Sequence, residues 1–152
     1  ESIDRLNEIK SSGRIFFTVG NMEYLKHGGR IGKVASVAGS LLGIKPIITL
    51  KEGEIFPSGI GRSRRKTVDK TIDLLLAYLA EEKTDIADYS ICIGYGYDKE
   101  EAVEFRDRLV SRLKEKGYDI DTIPIFQIGA TIGVHTGPYP LGIGVVKKSI
   151  RE

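Results

Sequence analysis

One cysteine, two histidines, no tryptophan and a net charge of only +2 are among the scarcities of this 152-residue chain. The lone Cys92 excludes an intramolecular disulfide framework and a cysteine-rich zinc site, and it is compatible with a reducing compartment. His27 and His135 have no acid beside them and make a poor metal-ligand set, so no metal is expected. With 23 basic against 21 acidic residues, the charge balance speaks against a nucleic-acid coat or a membrane-surface protein. No apolar run reaches the roughly 20 residues a membrane-spanning helix needs, so neither nucleic acid nor stable membrane insertion is expected. Glu1-Ser2-Ile3-Asp4-Arg5 lacks the basic-then-apolar pattern of a signal peptide. It also lacks an initiator Met, and the chain reads as an excised piece of something longer. A Walker loop, G-x-S-x-G and H-E-x-x-H are all missing, and no cofactor is expected.

What is present supports one packed domain over 1–152: 41% hydrophobic and 29% charged residues. Glycine is frequent, 18 in 152 residues or about 12%, against a usual value near 7%. Without a repeat period, that surplus points to tight turns and close backbone approaches.

Periodicity sets the elements. Ile3, Leu6 and Ile9 form a modest helical stripe, and Ile15 to Val19 reads as a buried strand. Asn21 can cap a helical turn through Lys26. Val34, Val37, Ala38, Leu41 and Leu42 match an amphipathic helix. Pro46–Leu50 and Ile55–Ser58 read as a hairpin around Lys51-Glu52-Gly53-Glu54. Arg64–Glu82 is a long helix and Tyr89–Tyr95 the most strand-like window. Asp98 and Glu101 have capping-box spacing at the head of a second long helix that runs to Lys116. Thr122–Ile128 reads as a strand, Gly129–Gly142 as a glycine-rich loop and Ile143–Lys147 as a last strand. Helices alternating with short apolar strands predict an α/β fold, layered helices on a mixed β-sheet.

Four constellations could carry chemistry. Gly94-Tyr95-Gly96 has Lys99 at the third glycine position of a dinucleotide fingerprint, so a tight strand-to-helix turn is the better reading. His27 reads as a solvated loop histidine. His135, among glycines and beside Thr131, Thr136 and Gly137, either holds an anionic group together with loop N–H groups or packs against loop carbonyls. Arg30, after Gly28-Gly29 and ahead of a helix, is either an anion locale or a surface arginine after a chain reversal. Arg62, Arg64, Arg65 and Lys66 crowd a helix N-terminus, the wrong end for cations. They read as a docking patch for an acidic surface or a phosphate, or as a solvated face balanced by Asp69 and Asp73.

Three separated segments carry a resemblance: Tyr24 to Ile31, Gly39 to Ile47, and Ile128 to Pro138 with its His135-Thr136-Gly137-Pro138. In this order they resemble the C-terminal lobe of DegV-family proteins, bacterial fatty-acid-binding proteins. The chain departs from the family pattern after Pro138, with Tyr139-Pro140 where Gly-Ala is usual. The resemblance implies a preceding N-terminal α/β lobe and a long-chain fatty acid held between the lobes. It implies a cytoplasmic carrier, not an enzyme, that presents the carboxylate to a separate fatty acid kinase. The acyl phosphate so made feeds phospholipid synthesis. It assigns the carboxylate to His135 and Arg30, with Thr131, Thr136 and Gly137 as supporting loop. Ile31, Val34, Leu41 and Ile132 become tail contacts, and the Arg62–Lys66 patch becomes the dock for the kinase. Two other readings remain: a small-carboxylate enzyme with His135 as general base, and a protein-interaction module built on the basic patch.

Overall fold

A computed structural model describes residues 2–38, 43–83 and 85–148. Its elements follow the chain as α1 (Ser2–Ser12), β1 (Arg14–Thr18), α2 (Glu23–His27), α3 (Ala35–Ala38), β2 (Lys45–Lys51), β3 (Glu54–Gly61), α4 (Arg64–Glu82), β4 (Tyr89–Tyr95), α5 (Lys99–Glu115), β5 (Ile125–Gln127), α6 (Ala130–Thr136) and β6 (Leu141–Lys147). Tight 3₁₀ turns at Gly32–Val34 and Ile86–Asp88 precede α3 and β4. The strands form one six-stranded sheet in the order β3-β2-β1-β6-β4-β5. Only β4 and β5 run parallel; every other pairing is antiparallel. The fold is thus α/β on a mixed sheet.

The two long helices start and stop where their residues dictate. The Ser63 hydroxyl accepts from the Lys66 amide at the head of α4, and the Asp98 carboxylate accepts from the Glu101 amide at 2.9 Å at the head of α5. Lys83 and Gly117, both at positive φ, end them. Val68, Ile72, Leu75 and Leu79 of α4 meet Ala102, Phe105, Leu109 and Leu113 of α5 over one sheet face. That face presents Phe16, Ile91, Ile93, Leu141, Ile143 and Val145, all buried. Among the described residues, the opposite face is covered chiefly toward β2 and β3. There Val19, Leu25, Val34 and Ile48 form a second small core with Met22 and Ile31 against it.

Several sequence expectations need correction. Ala130–Thr136 is helical, not loop, and β6 begins at Leu141. Of the strand expected over Thr122–Ile128, only Ile125–Gln127 pairs. The helix expected from Val34 starts as a 3₁₀ turn and becomes α-helical at Ala35–Ala38; its remaining positions, Leu41 among them, lie outside the described residues. Val34 is fully enclosed and Ile31 packs beside it, so both serve the second core.

The charged helix surface is also wired differently from the local expectation. Asp69 and Asp73 do not balance the Arg62–Lys66 run. They reach across to α5 and accept from Arg108 and Arg112 at 2.9 and 2.8 Å. Arg64 forms a bidentate pair with Glu101, both bonds at 2.8 Å and both side chains about three-quarters buried. Arg64 therefore ties α4 to α5 and leaves Arg62, Arg65 and Lys66 as the exposed members of the basic run.

Candidate functional site

On the face that α4 and α5 do not cover, side-chain alternation leaves a furrow. Pairing places Leu50, Ile15, Gly144 and Cys92 side by side across four strands. The next row on the same face is Ile48, Phe17, Gly142, Gly94 and Phe126. The strands point alternate residues to opposite faces. β6 thus sends Leu141, Ile143 and Val145 into the core and only glycine to the open face at 142 and 144. β4 likewise buries Ile91, Ile93 and Tyr95 and offers Cys92 and Gly94. A trough therefore runs along β6, floored by backbone and walled by Ile15, Phe17, Ile128 and Ile132.

Two connected cavities make up this trough. The inner one, about 280 Å³, lies next to α6 and takes Phe17, Gly94, Ile128, Ile132, Thr136 and Pro140 into its lining. The outer one, about 560 Å³, extends to Lys10, Gly13, Ser90, Pro124, Phe126 and Val146. Apart from Thr136, no side chain lining the inner cavity can form a strong hydrogen bond, and the Thr136 hydroxyl already donates back to the Ile132 carbonyl at 3.2 Å. Such a space selects hydrocarbon. Cys92 lies on its floor, and burial raises its thiol pKa above the ordinary value.

α6 closes the inner end and brings two of the sequence motifs together. His135 lies against Gly28, and a Cβ on Gly28 would overlap His135 Nδ1. That nitrogen is buried and has no hydrogen-bond partner. Tyr24, one turn before Gly28, packs over Gly137 at positive φ, where a Cβ would meet the Tyr24 ring. The Lys26-to-Arg30 loop and the His135-Thr136-Gly137 turn thus share one surface. Arg30, two residues beyond Gly28, is exposed and has no ion-pair partner among the described residues. An unpartnered buried imidazole nitrogen costs about 1–3 kcal/mol, so its position calls for a reason beyond packing.

The remaining expected residues divide. Ile132 and Thr136 line the trough; Thr131 is exposed and His135 is not in the cavity wall. His27 is exposed, its Nδ1 2.9 Å from the Glu23 carbonyl oxygen. The Gly94-Tyr95-Gly96 turn has a purely structural reason. A Cβ on Gly96 would strike the Pro138 carbonyl and Pro140, while the Gly96 and Tyr97 amides donate to the Pro140 and Pro138 carbonyls at 3.0 and 2.8 Å. Tyr139, at the departure from the family pattern, meets Tyr97 edge-on at 6.2 Å, and Pro140 enters the trough wall. Among the described residues no group of three or more His, Cys, Asp or Glu could hold a metal, and no helix is long and apolar enough to cross a membrane.

The trough itself was missed in the sequence. Its signal was there: Gly142-x-Gly144 at strand period, opposite Gly94.

Comparison with known proteins gives the family and the fold. The family model described as "Uncharacterised protein, DegV family" matches residues 1–148. A DegV domain-containing protein of Clostridium perfringens is 35% identical over 97% of this chain and 50% of its own length. A stearic acid-binding protein from Eubacterium ventriosum has a solved structure with a TM-score of 0.86 and 44% identity, covering 97% of this chain and 48% of that one. A fatty-acid-binding DegV family protein from Thermus thermophilus gives 0.81 at 27% identity, over 96% and 49%. The chain spans about half the length of each of these relatives.

Proposed function

Because the chain belongs to the DegV family, we propose that it forms half of a fatty-acid carrier, with the hydrocarbon tail in the β6 trough and the carboxylate at the His135–Arg30 end. The observation that carries this is a furrow floored by Gly142 and Gly144 of β6, stopped at one end by the helix that holds the unpartnered His135 Nδ1 against Gly28 of the Gly28-Gly29-Arg30 loop. A carboxylate leaving water needs charge and donors to compensate it. Arg30 supplies permanent charge and His135 a donor, with Thr131, Thr136 and Gly137 around them. The tail contributes through burial, about 0.8 kcal/mol per methylene, offset in part by the cost of association. The tail therefore sets affinity and the head group sets orientation.

The furrow is open on its outer side, and a second lobe N-terminal to this chain would roof it. A carrier role, not catalysis, suits the site: neither the Gly28-Gly29-Arg30 motif nor the His135-Thr136-Gly137-Pro138 motif supplies an acid partner for His135. In this reading a separate cytoplasmic fatty acid kinase docks on Arg62, Arg65 and Lys66 and converts the carboxylate to an acyl phosphate for phospholipid synthesis. Extraction of lipid from the intact two-lobe protein, followed by mass spectrometry, tests the reading. It should release long-chain fatty acid, and His135→Ala or Arg30→Ala should lower the amount retained. Empty protein from lipid-rich cells would overturn it. Reversing the charges of Arg62, Arg65 and Lys66 should impair acyl-phosphate formation and leave lipid retention intact.

A further inference from the structure

The inner and outer cavities meet at four shared residues: Ile15, Leu50, Cys92 and Gly144. These are the members of a single row across β2, β1, β6 and β4. The row is a neck, and two of its members keep it open by being small.

The glycines of β6 differ in what requires them. A Cβ on Gly142 would run into the Phe17 Cα and Cβ and the Phe16 carbonyl, so backbone packing alone demands glycine there. Gly144 is under no such demand. Its φ is not positive, and a Cβ there would meet only the Cys92 sulfur, at 3.2 Å. β-Branched residues are favoured in strands, and a Cβ at this position asks only that the Cys92 sulfur give by a few tenths of an ångström. What Gly144 provides is empty space above the sheet, at the point where the two cavities join. The next residue of β6 on this face, Val146, carries the first side chain of the row and stands opposite Ser90 in the outer cavity.

We propose that Gly144 and Cys92 set acyl chain length: they form the neck through which a tail longer than the inner cavity passes into the outer one. This rests on the fatty-acid reading above and adds the residues that decide which acids fit. A short saturated acid ends before the neck and is indifferent to it. A long one threads it, and each methylene beyond the neck gains burial only while the row stays open. Any side chain at 144 presses on the Cys92 sulfur and fills the gap; a smaller residue at 92 widens it.

The test uses the intact protein with stearic and lauric acids as probes. Gly144→Val should lower the preference for stearic over lauric acid by about tenfold or more, with lauric acid weakened far less than stearic acid. Cys92→Ala should shift the preference the other way, and it carries the test if the valine variant fails to fold. An unchanged stearic-to-lauric ratio in Cys92→Ala and in a folded Gly144→Val overturns the proposal, as does an equal loss of both acids. Wild-type protein that retains neither acid overturns the fatty-acid reading, and this inference with it.

Discussion

The two faces of the central sheet are built from the same strands and differ in every alternate residue. β4 and β6 send Ile91, Ile93, Tyr95, Leu141, Ile143 and Val145 under α4 and α5, where all are buried. Their residues on the other face are Ser90, Cys92, Gly94, Gly142, Gly144 and, at the outer end, Val146. The covered face carries the packing, and the open face keeps mostly small groups. Large apolar side chains on both faces would be more stable, as in sheets covered on both sides. Under the carrier function proposed above, the open face is shaped for a guest: the chain forgoes burial there and recovers it when hydrocarbon fills the trough.

The sharpest way to break this comparison is to damage the covered face. Phe105 is fully enclosed between α5 and the sheet. Phe105→Ala should destabilise by about 3–5 kcal/mol, read by urea denaturation, whereas Cys92→Ala on the open face should cost far less. Comparable losses would mean that both faces bear load alike.

A second test of the covered face is alkaline titration. Tyr78 donates its hydroxyl to the Ser12 carbonyl at 2.8 Å. Burial, and then the neighbouring Tyr89 and Glu82, push its pKa up to about 12. In the unfolded chain a tyrosine loses its proton near 10. The stabilisation is therefore whole below pH about 10 and is lost as pH climbs toward about 12, in total about 2–3 kcal/mol. Denaturation measured across this window should show the slope, and Tyr78→Phe should flatten it. An unchanged slope in the variant would place the titrating group elsewhere.

Reading the sequence separates the two faces in the same way. α4 and β4 show their bounds because long apolar stripes at helical and strand periods leave little choice. The Asp98 cap is local and equally visible. α6 is not: Gly129 and Gly137 flank its seven residues and Gly133 interrupts them, and together they mimic a loop. The partners of Asp69 and Asp73 lie 39 residues away on α5, beyond any local charge pattern. Of the candidate site, the His135 and Gly28-Gly29-Arg30 motifs stand out, but only the fold presses His135 onto Gly28. The trough was hidden because the open face is defined by missing side chains, which leave no hydrophobic period to detect.

The contact between the two motifs gives the third test. Gly28 has φ −76°, so alanine costs little in backbone strain. Its methyl would, however, occupy the place of His135 Nδ1. Gly28→Ala should displace the imidazole and weaken stearic acid retention by about tenfold, the scale of one hydrogen bond to a charged group, with little change in thermal stability. In a His135→Ala background the same substitution should cost nothing further. Additive losses would show that the two motifs act separately.

The smallest effect is kinetic and belongs to the open face alone. Cys92 is half-buried, and its thiol holds its proton more tightly than a free cysteine. Maleimides take the thiolate, so labelling of the native protein should be slower than labelling of the urea-unfolded chain. Stearic acid in the trough should slow it again, because the tail lies across the sulfur. Lauric acid, ending before the neck, should protect less. Equal protection by both acids would put the tail's path away from Cys92, and the open face would then be a trough whose glycines serve some other guest.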